Sequence, residues 1–225
     1  MAYPLRTVAL SEFTATTFLL IAVVGSGIAA ERLSAGNTAL ALLANAIVTG
    51  CALFSLIVSF APISGAHMNP VVTLGAAGLG KVSWKAVPVM VGAQVAGGLA
   101  GVTLSHIMFE LPVLQTGAHV RTGAAQWCAE IVATIGLLGV ILRCEDRGVP
   151  LTAAAVATYI TGAYWFTAST SFANPAVTIA RAFTDTFAGI RPADTPGFIV
   201  AQIAGLAVIL AAAKALGANA QERTS

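Results

Sequence analysis

The sequence predicts an all-α membrane protein with six transmembrane helices and two re-entrant half-helices, arranged as an inverted repeat. Three observations lead to this fold. The 225 residues are 57% hydrophobic and only 9% charged, with a mean hydropathy of +0.87, whereas soluble domains carry about 25% charged residues. Apolar stretches near the ~20 residues that cross a bilayer follow one another along the chain. Two short apolar segments both begin with Asn-Pro, and the sequence around them is repeated.

Six apolar stretches are long enough to span a bilayer, and each should be helical because lipid-exposed backbone must satisfy its own hydrogen bonds. The predicted spans are residues 8–30, 38–60, 84–107, 124–143, 150–168 and 196–217. The first stretch contains Glu12 and is too long and too weakly flanked for a cleaved signal peptide. We therefore predict that it stays in the protein as a span.

Two shorter apolar segments, residues 69–80 and 174–184, have about half the length of a membrane helix. Each begins with Asn-Pro, and proline suits the first helical turn because no intrahelical donor is needed there. The pattern predicts two half-helices. The five residues from Asn69, Asn-Pro-Val-Val-Thr, recur from Asn174 as Asn-Pro-Ala-Val-Thr.

Polar residues on the flanking spans repeat in the same order. Glu12 corresponds to Glu130, and Gln94 corresponds to Gln202. Each copy holds three spans, an odd number, so the second copy must enter the membrane from the opposite side. The predicted copies cover about residues 8–114 and 123–217, within one transmembrane domain of residues 1–225.

The distribution of lysine and arginine predicts the orientation, because these residues concentrate in cytoplasmic loops. A cytoplasmic N-terminus places seven of them inside and four outside. The inner set is Arg6, Lys81, Lys85, Arg143, Arg147, Lys214 and Arg223, and the outer set is Arg32, Arg121, Arg181 and Arg191. Both termini are therefore predicted to be cytoplasmic, and the short termini and alanine-rich spans suit a bacterial inner membrane.

Half-helices that enter from opposite faces bring their N-termini together near the middle of the membrane. Free backbone N–H groups and the positive ends of both helix dipoles then face one point, which repels cations. Asn69 and Asn174 occupy the N-cap positions, and their amide N–H groups can donate into a pore. We predict that these two residues form the neck of a channel for neutral solutes.

Residues Ser64 to Thr73, Ser-Gly-Ala-His-Met-Asn-Pro-Val-Val-Thr, closely resemble the first signature of the major intrinsic protein family, the aquaporins and aquaglyceroporins. The resemblance extends over nearly the whole chain. It implies a right-handed bundle of six helices and two half-helices, one pore per subunit and a homotetramer in the lipid bilayer. The expected partners are water and small neutral solutes.

The resemblance also assigns a selectivity filter, and here the chain departs from the family. The second signature usually continues Asn-Pro-Ala-Arg, and that arginine forms the narrowest ring with three other positions. This chain has Val177 at the arginine position. Counting from the two asparagines assigns the remaining positions to Thr49, Gly162 and Ser171, which implies a wide, uncharged ring.

A wide ring of this kind resembles those of bacterial members associated with arsenic handling. Glycerol, urea and neutral metalloid hydroxides, such as arsenous or boric acid, are then the expected solutes together with water. A mainly water-conducting pore is the alternative within the channel class. A secondary transporter is the alternative from another class, because inverted repeats with broken helices also describe transporters.

Glu12 and Glu130 are carboxylates inside apolar spans, where ionisable groups often serve proton relays. The re-entrant loops, however, leave backbone N–H groups that need buried acceptors. We therefore favour a bracing role for both glutamates, and likewise for Gln94 and Gln202.

Two basic residues are assigned to the vestibules. His67, two residues before Asn69, either gates the pore with pH or lines the vestibule and braces the loop, and the resemblance favours the second. Arg181 lies one turn beyond Val177 on the same helical face. It either attracts anionic or dipolar solutes or pairs with Asp185, four residues on.

No feature of the sequence indicates an enzyme, a cofactor or a metal site. Cys51, Cys128 and Cys144 lack metal-ligand spacing and do not form a disulfide framework. The net charge of +2 is too small to indicate nucleic-acid binding.

Overall fold

The computed structural model describes residues 3–222, with side chains for residues 3–216. Within this range the chain is all-α, with eight helices and no strands. The helices are α1 Leu5–Leu33, α2 Thr38–Ser64, α3 Pro70–Gly78, α4 Val87–Met108, α5 Ala124–Cys144, α6 Val149–Phe166, α7 Pro175–Arg181 and α8 Thr195–Glu222. Short 3-10 turns at Glu145–Arg147 and Pro192–Asp194 precede α6 and α8. Arg223, one of the predicted inner cations, lies outside the described residues.

The six long helices match the predicted spans, and α3 and α7 match the predicted half-helices. Five of the long helices are apolar and long enough to cross a membrane by length and composition, and the sixth, α6, has 18 residues. The observed ends of the helices differ from the predicted ends by a few residues. Helix α2 continues through Pro62 and ends at Ser64, and the φ of 88° at the next residue, Gly65, lies in the left-handed region that favours glycine.

The two copies of the repeat pack in the same way. Helix α1 packs along α4 in the first copy, α5 packs along α8 in the second, and α2 packs against α6 between the copies. Close approach requires glycine at matching positions. A Cβ on Gly97 of α4 would overlap the carbonyl oxygen of Phe13, and a Cβ on Gly205 of α8 would lie 2.9 Å from the carbonyl oxygen of Ile131.

The two faces of the bundle can be told apart from the packing at the helix ends. Val8 at the start of α1 packs with Ala86 and Met90, at the start of α4. We call this side the N-terminal face and the other side the distal face. Half-helix α3 ends close to Val82, which packs with Val8 at the N-terminal face, and α7 ends just before Ala182, whose carbonyl accepts from Gly117 in the loop after α4 at the distal face. The half-helices therefore point in opposite directions, as an inverted repeat requires.

The contact between α1 and α4 can be tested at Gly97. Replacing Gly97 with valine forces a side chain against the Phe13 backbone, and overpacking of this kind costs about 1–3 kcal/mol or more. We expect a lower midpoint of thermal unfolding in detergent. Gly92→Val on the same helix is the matched control, because no atom lies within 4 Å of a Cβ at Gly92. Equal unfolding midpoints for the two variants would contradict the close α1–α4 contact.

Candidate functional site

Both asparagines line one cavity of about 530 Å³ that runs through the bundle. At the N-terminal face the lining includes Lys81 and Glu145, which form an ion pair. Toward the distal face it includes Val177 and Arg181. One cavity therefore extends from the N-terminal face past both asparagines toward the distal face.

The half-helices meet through reciprocal hydrogen bonds between their capping residues. The Asn69 side-chain N–H donates to the carbonyl oxygen of Ala173 at 2.8 Å, and the Asn174 side-chain N–H donates to the carbonyl oxygen of Met68 at 2.8 Å. Each amide oxygen meanwhile accepts from the backbone of its own half-helix, from Val71 N–H or from Ala176 N–H. An amide nitrogen carries two N–H groups, so one on each asparagine remains for a solute.

The loop before each half-helix has an unusual backbone that repeats between the copies. The residues three and one before Asn69 are Ala66 and Met68, both with φ of 49°. Ser171 and Ala173 hold the same places before Asn174, with φ of 51° and 46°. These conformations cost about 1 kcal/mol or more per residue without glycine. The surroundings must therefore hold both loops in place.

Glu12 holds the first loop. Its carboxylate accepts hydrogen bonds from the backbone N–H groups of His67 and Met68, at 3.0 and 2.7 Å. The Ser64 hydroxyl and the Gln94 side chain donate to the same carboxylate, at 2.6 and 2.7 Å. Glu12 is fully buried, and its oxygens serve the loop backbone as a bracing residue would.

Glu130 holds the second loop in the same way. Its carboxylate accepts from the backbone N–H groups of Phe172 and Ala173, at 2.9 and 2.8 Å. Gln202 donates to it at 2.6 Å. Each glutamine also donates to a threonine hydroxyl at 2.9 Å, Gln94 to Thr73 and Gln202 to Thr178, and so links the loop anchor to the half-helix.

His67 lines the cavity on the N-terminal side of the neck. Its Nδ1 lies 3.0 Å from the Thr73 hydroxyl, and its backbone N–H donates to Glu12. The side chain therefore lines the vestibule while the residue as a whole fixes the loop.

Three of the four residues assigned to the filter, Thr49, Ser171 and Val177, line the cavity, and Gly162 does not. The reason is the rotation of α6. The residues that α6 contributes to the cavity are Val149, Thr152, Val156, Ile160 and Tyr164. The spacing from Asn174 did not indicate Tyr164, which shares a helical face with Ile160 four residues earlier, because that spacing does not fix the rotation of α6.

Arg181 lies in the same cavity, only 3% exposed. Its guanidinium stacks on the Phe172 ring, 3.4 Å from the ring centre, and its Nε donates to the Ala188 carbonyl. The alternative pairing with Asp185 is not among the ion pairs of the described residues, and that carboxylate instead accepts from the backbone N–H of Ala118 at 3.0 Å. The cavity thus contains a guanidinium, one turn beyond the position at which the sequence lacks one.

A second arginine approaches the same aromatic ring from the distal loop. Arg121 lies 5.2 Å from the centre of the Phe172 ring, and its Nε donates to Gly189 at 3.0 Å. Burial, Arg121 and Arg181 together lower the pKa of His119 nearby, which favours its neutral form. The two ion pairs among the described residues are Lys81–Glu145 and Arg191–Asp194. Neither the Arg121 nor the Arg181 guanidinium therefore forms an ion pair with a carboxylate within this part of the chain.

The bracing role can be tested by removing the Glu130 carboxylate. Glu130→Ala leaves the N–H groups of Phe172 and Ala173 without their acceptor, at about 1–3 kcal/mol for each buried group. We expect a clearly lower thermal midpoint in detergent, whereas Glu31→Ala, at an exposed position, should unfold like the wild type. A proton-relay role would instead leave the midpoint unchanged and alter proton flux.

Comparison with known proteins agrees with this architecture. The family described as Major intrinsic protein matches residues 3–164. The aquaglyceroporin AqpS of Rhizobium meliloti (strain 1021) is 51% identical over 204 residues, which cover 89% of this chain and 86% of that protein. Aquaporin NIP6-1 of Arabidopsis thaliana is 33% identical over 133 residues, covering 58% of this chain and 42% of that protein.

A solved structure shows the same fold. The aquaglyceroporin from Plasmodium falciparum, determined by X-ray crystallography, superposes with a TM-score of 0.70 over 92% of this chain and 94% of that one, at 24% sequence identity. The family match covers more than half of the chain, and the fold is that of an aquaglyceroporin. The chain is therefore a member of the major intrinsic protein family, whose members are membrane channels and not enzymes.

Proposed function

We propose that this protein is an aquaglyceroporin-like passive channel for glycerol, urea and neutral metalloid hydroxides such as arsenous acid, as well as water. The main support comes from the cavity. The cavity that joins Asn69 and Asn174 continues to Val177, where an uncharged side chain stands at the place of the usual arginine. The 51% identity with a protein named aquaglyceroporin supports the same class of solute.

The chemistry of the cavity wall explains why neutral solutes would pass and ions would not. Thr49 and Ser171 offer hydroxyl groups, and Val177 offers an apolar surface, so a solute with both hydroxyl and carbon groups meets both kinds of contact. The N-termini of α3 and α7 point their positive ends at the neck, which opposes cations. The ring beside Val177 is proposed to be wider than one built around an arginine at that position.

The alternative of a secondary transporter has less support. A transporter generally needs a site for its coupling ion near the middle of the membrane, and acidic groups commonly form it. Glu12 and Glu130 are occupied by backbone and glutamine donors. Among the described residues that line the cavity, the carboxylate is Glu145, which lies at the N-terminal face. The alternative of a mainly water-conducting pore is distinguished by the ratio of water to glycerol permeability.

The proposed setting is a bacterial inner membrane, with both termini cytoplasmic and four copies forming a homotetramer. The many exposed apolar side chains on the long helices support contact with lipid or with other subunits. In this assembly each copy would carry its own pore, with the neck at Asn69 and Asn174.

A swelling assay on proteoliposomes tests the proposed solutes. We expect glycerol, urea and arsenous acid each to enter several-fold faster than in protein-free liposomes, with a flux that rises linearly with the gradient. A flux that saturates would favour a carrier. Rapid water flux with no glycerol flux would favour the water-channel alternative.

The role of the uncharged ring is tested by Val177→Arg. An added guanidinium at Val177 fills the cavity, so glycerol and arsenous acid flux should fall by about tenfold, equivalent to about 1.4 kcal/mol in the barrier. Val177→Ala is the matched control and should keep the flux, because the ring stays uncharged. Equal glycerol flux in wild type and Val177→Arg would show that Val177 does not limit passage.

A further inference from the structure

Helix α6 presents one face to the cavity, and that face ends at Tyr164. Val156, Ile160 and Tyr164 follow at intervals of four and all line the cavity, as one face of an α-helix does. Gly162, two residues from Tyr164, points about 200° away from it around the helix axis. A Cβ on Gly162 would meet the Phe166 ring at 3.7 Å rather than the cavity.

Tyr164 is held firmly in this place. Its side chain is buried, with 3% exposed, and its hydroxyl lies 3.2 Å from the hydroxyl of Thr49 on α2. Thr49 is itself one of the residues assigned to the filter. The hydrogen bond therefore holds the Tyr164 ring beside Thr49. The sequence spacing had assigned Gly162 to this place.

Arg181 also lines the cavity. It lies four residues beyond Val177, which is about 6 Å further along the half-helix toward the distal face. Nε donates to Ala188, and no carboxylate among the described residues lies within 4.0 Å of the guanidinium. A buried guanidinium without an anionic partner is costly unless its remaining N–H groups find acceptors. Solute oxygen atoms in the cavity can supply them.

We propose that Tyr164 and Arg181 determine which solutes pass, in the roles that sequence spacing assigns to Gly162 and Val177. The inference rests on the proposed channel function and names the residues that set its size limit. The aromatic wall and the guanidinium narrow the passage on the distal side of Val177. Hydroxyl oxygens of a short polyol accept hydrogen bonds from Arg181 and Tyr164 while its carbon atoms contact Val177, and longer polyols are held back.

Cysteine accessibility tests which face of α6 lines the passage. In a background with Cys51, Cys128 and Cys144 replaced by alanine, Tyr164→Cys and Gly162→Cys are treated with a membrane-impermeant methanethiosulfonate reagent. We expect the reagent to abolish glycerol flux through Tyr164→Cys and to leave Gly162→Cys unaffected. If Tyr164→Cys fails to fold, Ile160→Cys supplies the same test, because it lies on the same face. Block of Gly162→Cys, or block of neither face, overturns the proposal.

Solute selectivity tests the roles of the two side chains. Tyr164→Ala should raise the flux of erythritol and ribitol by about tenfold relative to glycerol, and Tyr164→Phe should keep the size limit. Arg181→Gln should also raise the relative flux of ribitol. Its matched control is Arg121→Gln, which removes a charge from the same aromatic ring at a residue that does not line the cavity. Unchanged selectivity in both Tyr164→Ala and Arg181→Gln overturns the proposal.

The wild type separates this inference from the function on which it rests. A wild-type protein that passes none of the neutral solutes refutes the proposed channel function. A wild type that passes glycerol, together with the contrary results above, refutes the role of Tyr164 and Arg181 alone.

Discussion

The structure depends on how two stretches of irregular backbone are kept in the middle of a membrane. Lipid offers no hydrogen-bond partners, so non-helical backbone at this depth persists only where protein groups satisfy it. The loop before Asn69 contains two non-glycine residues in the left-handed region, and the loop before Asn174 contains three. A buried glutamate on a neighbouring helix accepts the N–H groups of each loop. The carboxylates thus fix the loops, and the loops fix the start of each half-helix.

Much of this arrangement could be predicted from the sequence because its signals are local and repeated. Asn-Pro opening an apolar segment of half length predicts a half-helix, and two such segments at matching places predict an inverted pair. A carboxylate inside an apolar span is costly unless it has partners. The match between Glu12 and Glu130 therefore indicated two equivalent anchors, and the structure places both on the loop backbone.

The side chains around Val177 could not be predicted as well, since they depend on a rotation that no local pattern specifies. Counting twelve residues back from Asn174 crosses the loop between α6 and α7, and any difference in that loop turns α6 relative to the cavity. A change of two residues replaces Gly162 with Tyr164 at the cavity wall. The conformation of Arg181 could not be predicted either, because its contact with Ala188 depends on how the loop after α7 folds back.

The crossed amide bonds between the half-helices also bear on how such a chain can change over evolutionary time. Asn69 donates to the loop of the second copy, and Asn174 donates to the loop of the first. The position of each asparagine at the neck therefore depends on the loop of the other copy. A mutation that moves one loop would therefore displace the asparagine of the other copy, so the two loops would have to change together. Side chains further from the middle of the membrane, such as those at the distal entrance, can change without disturbing these bonds.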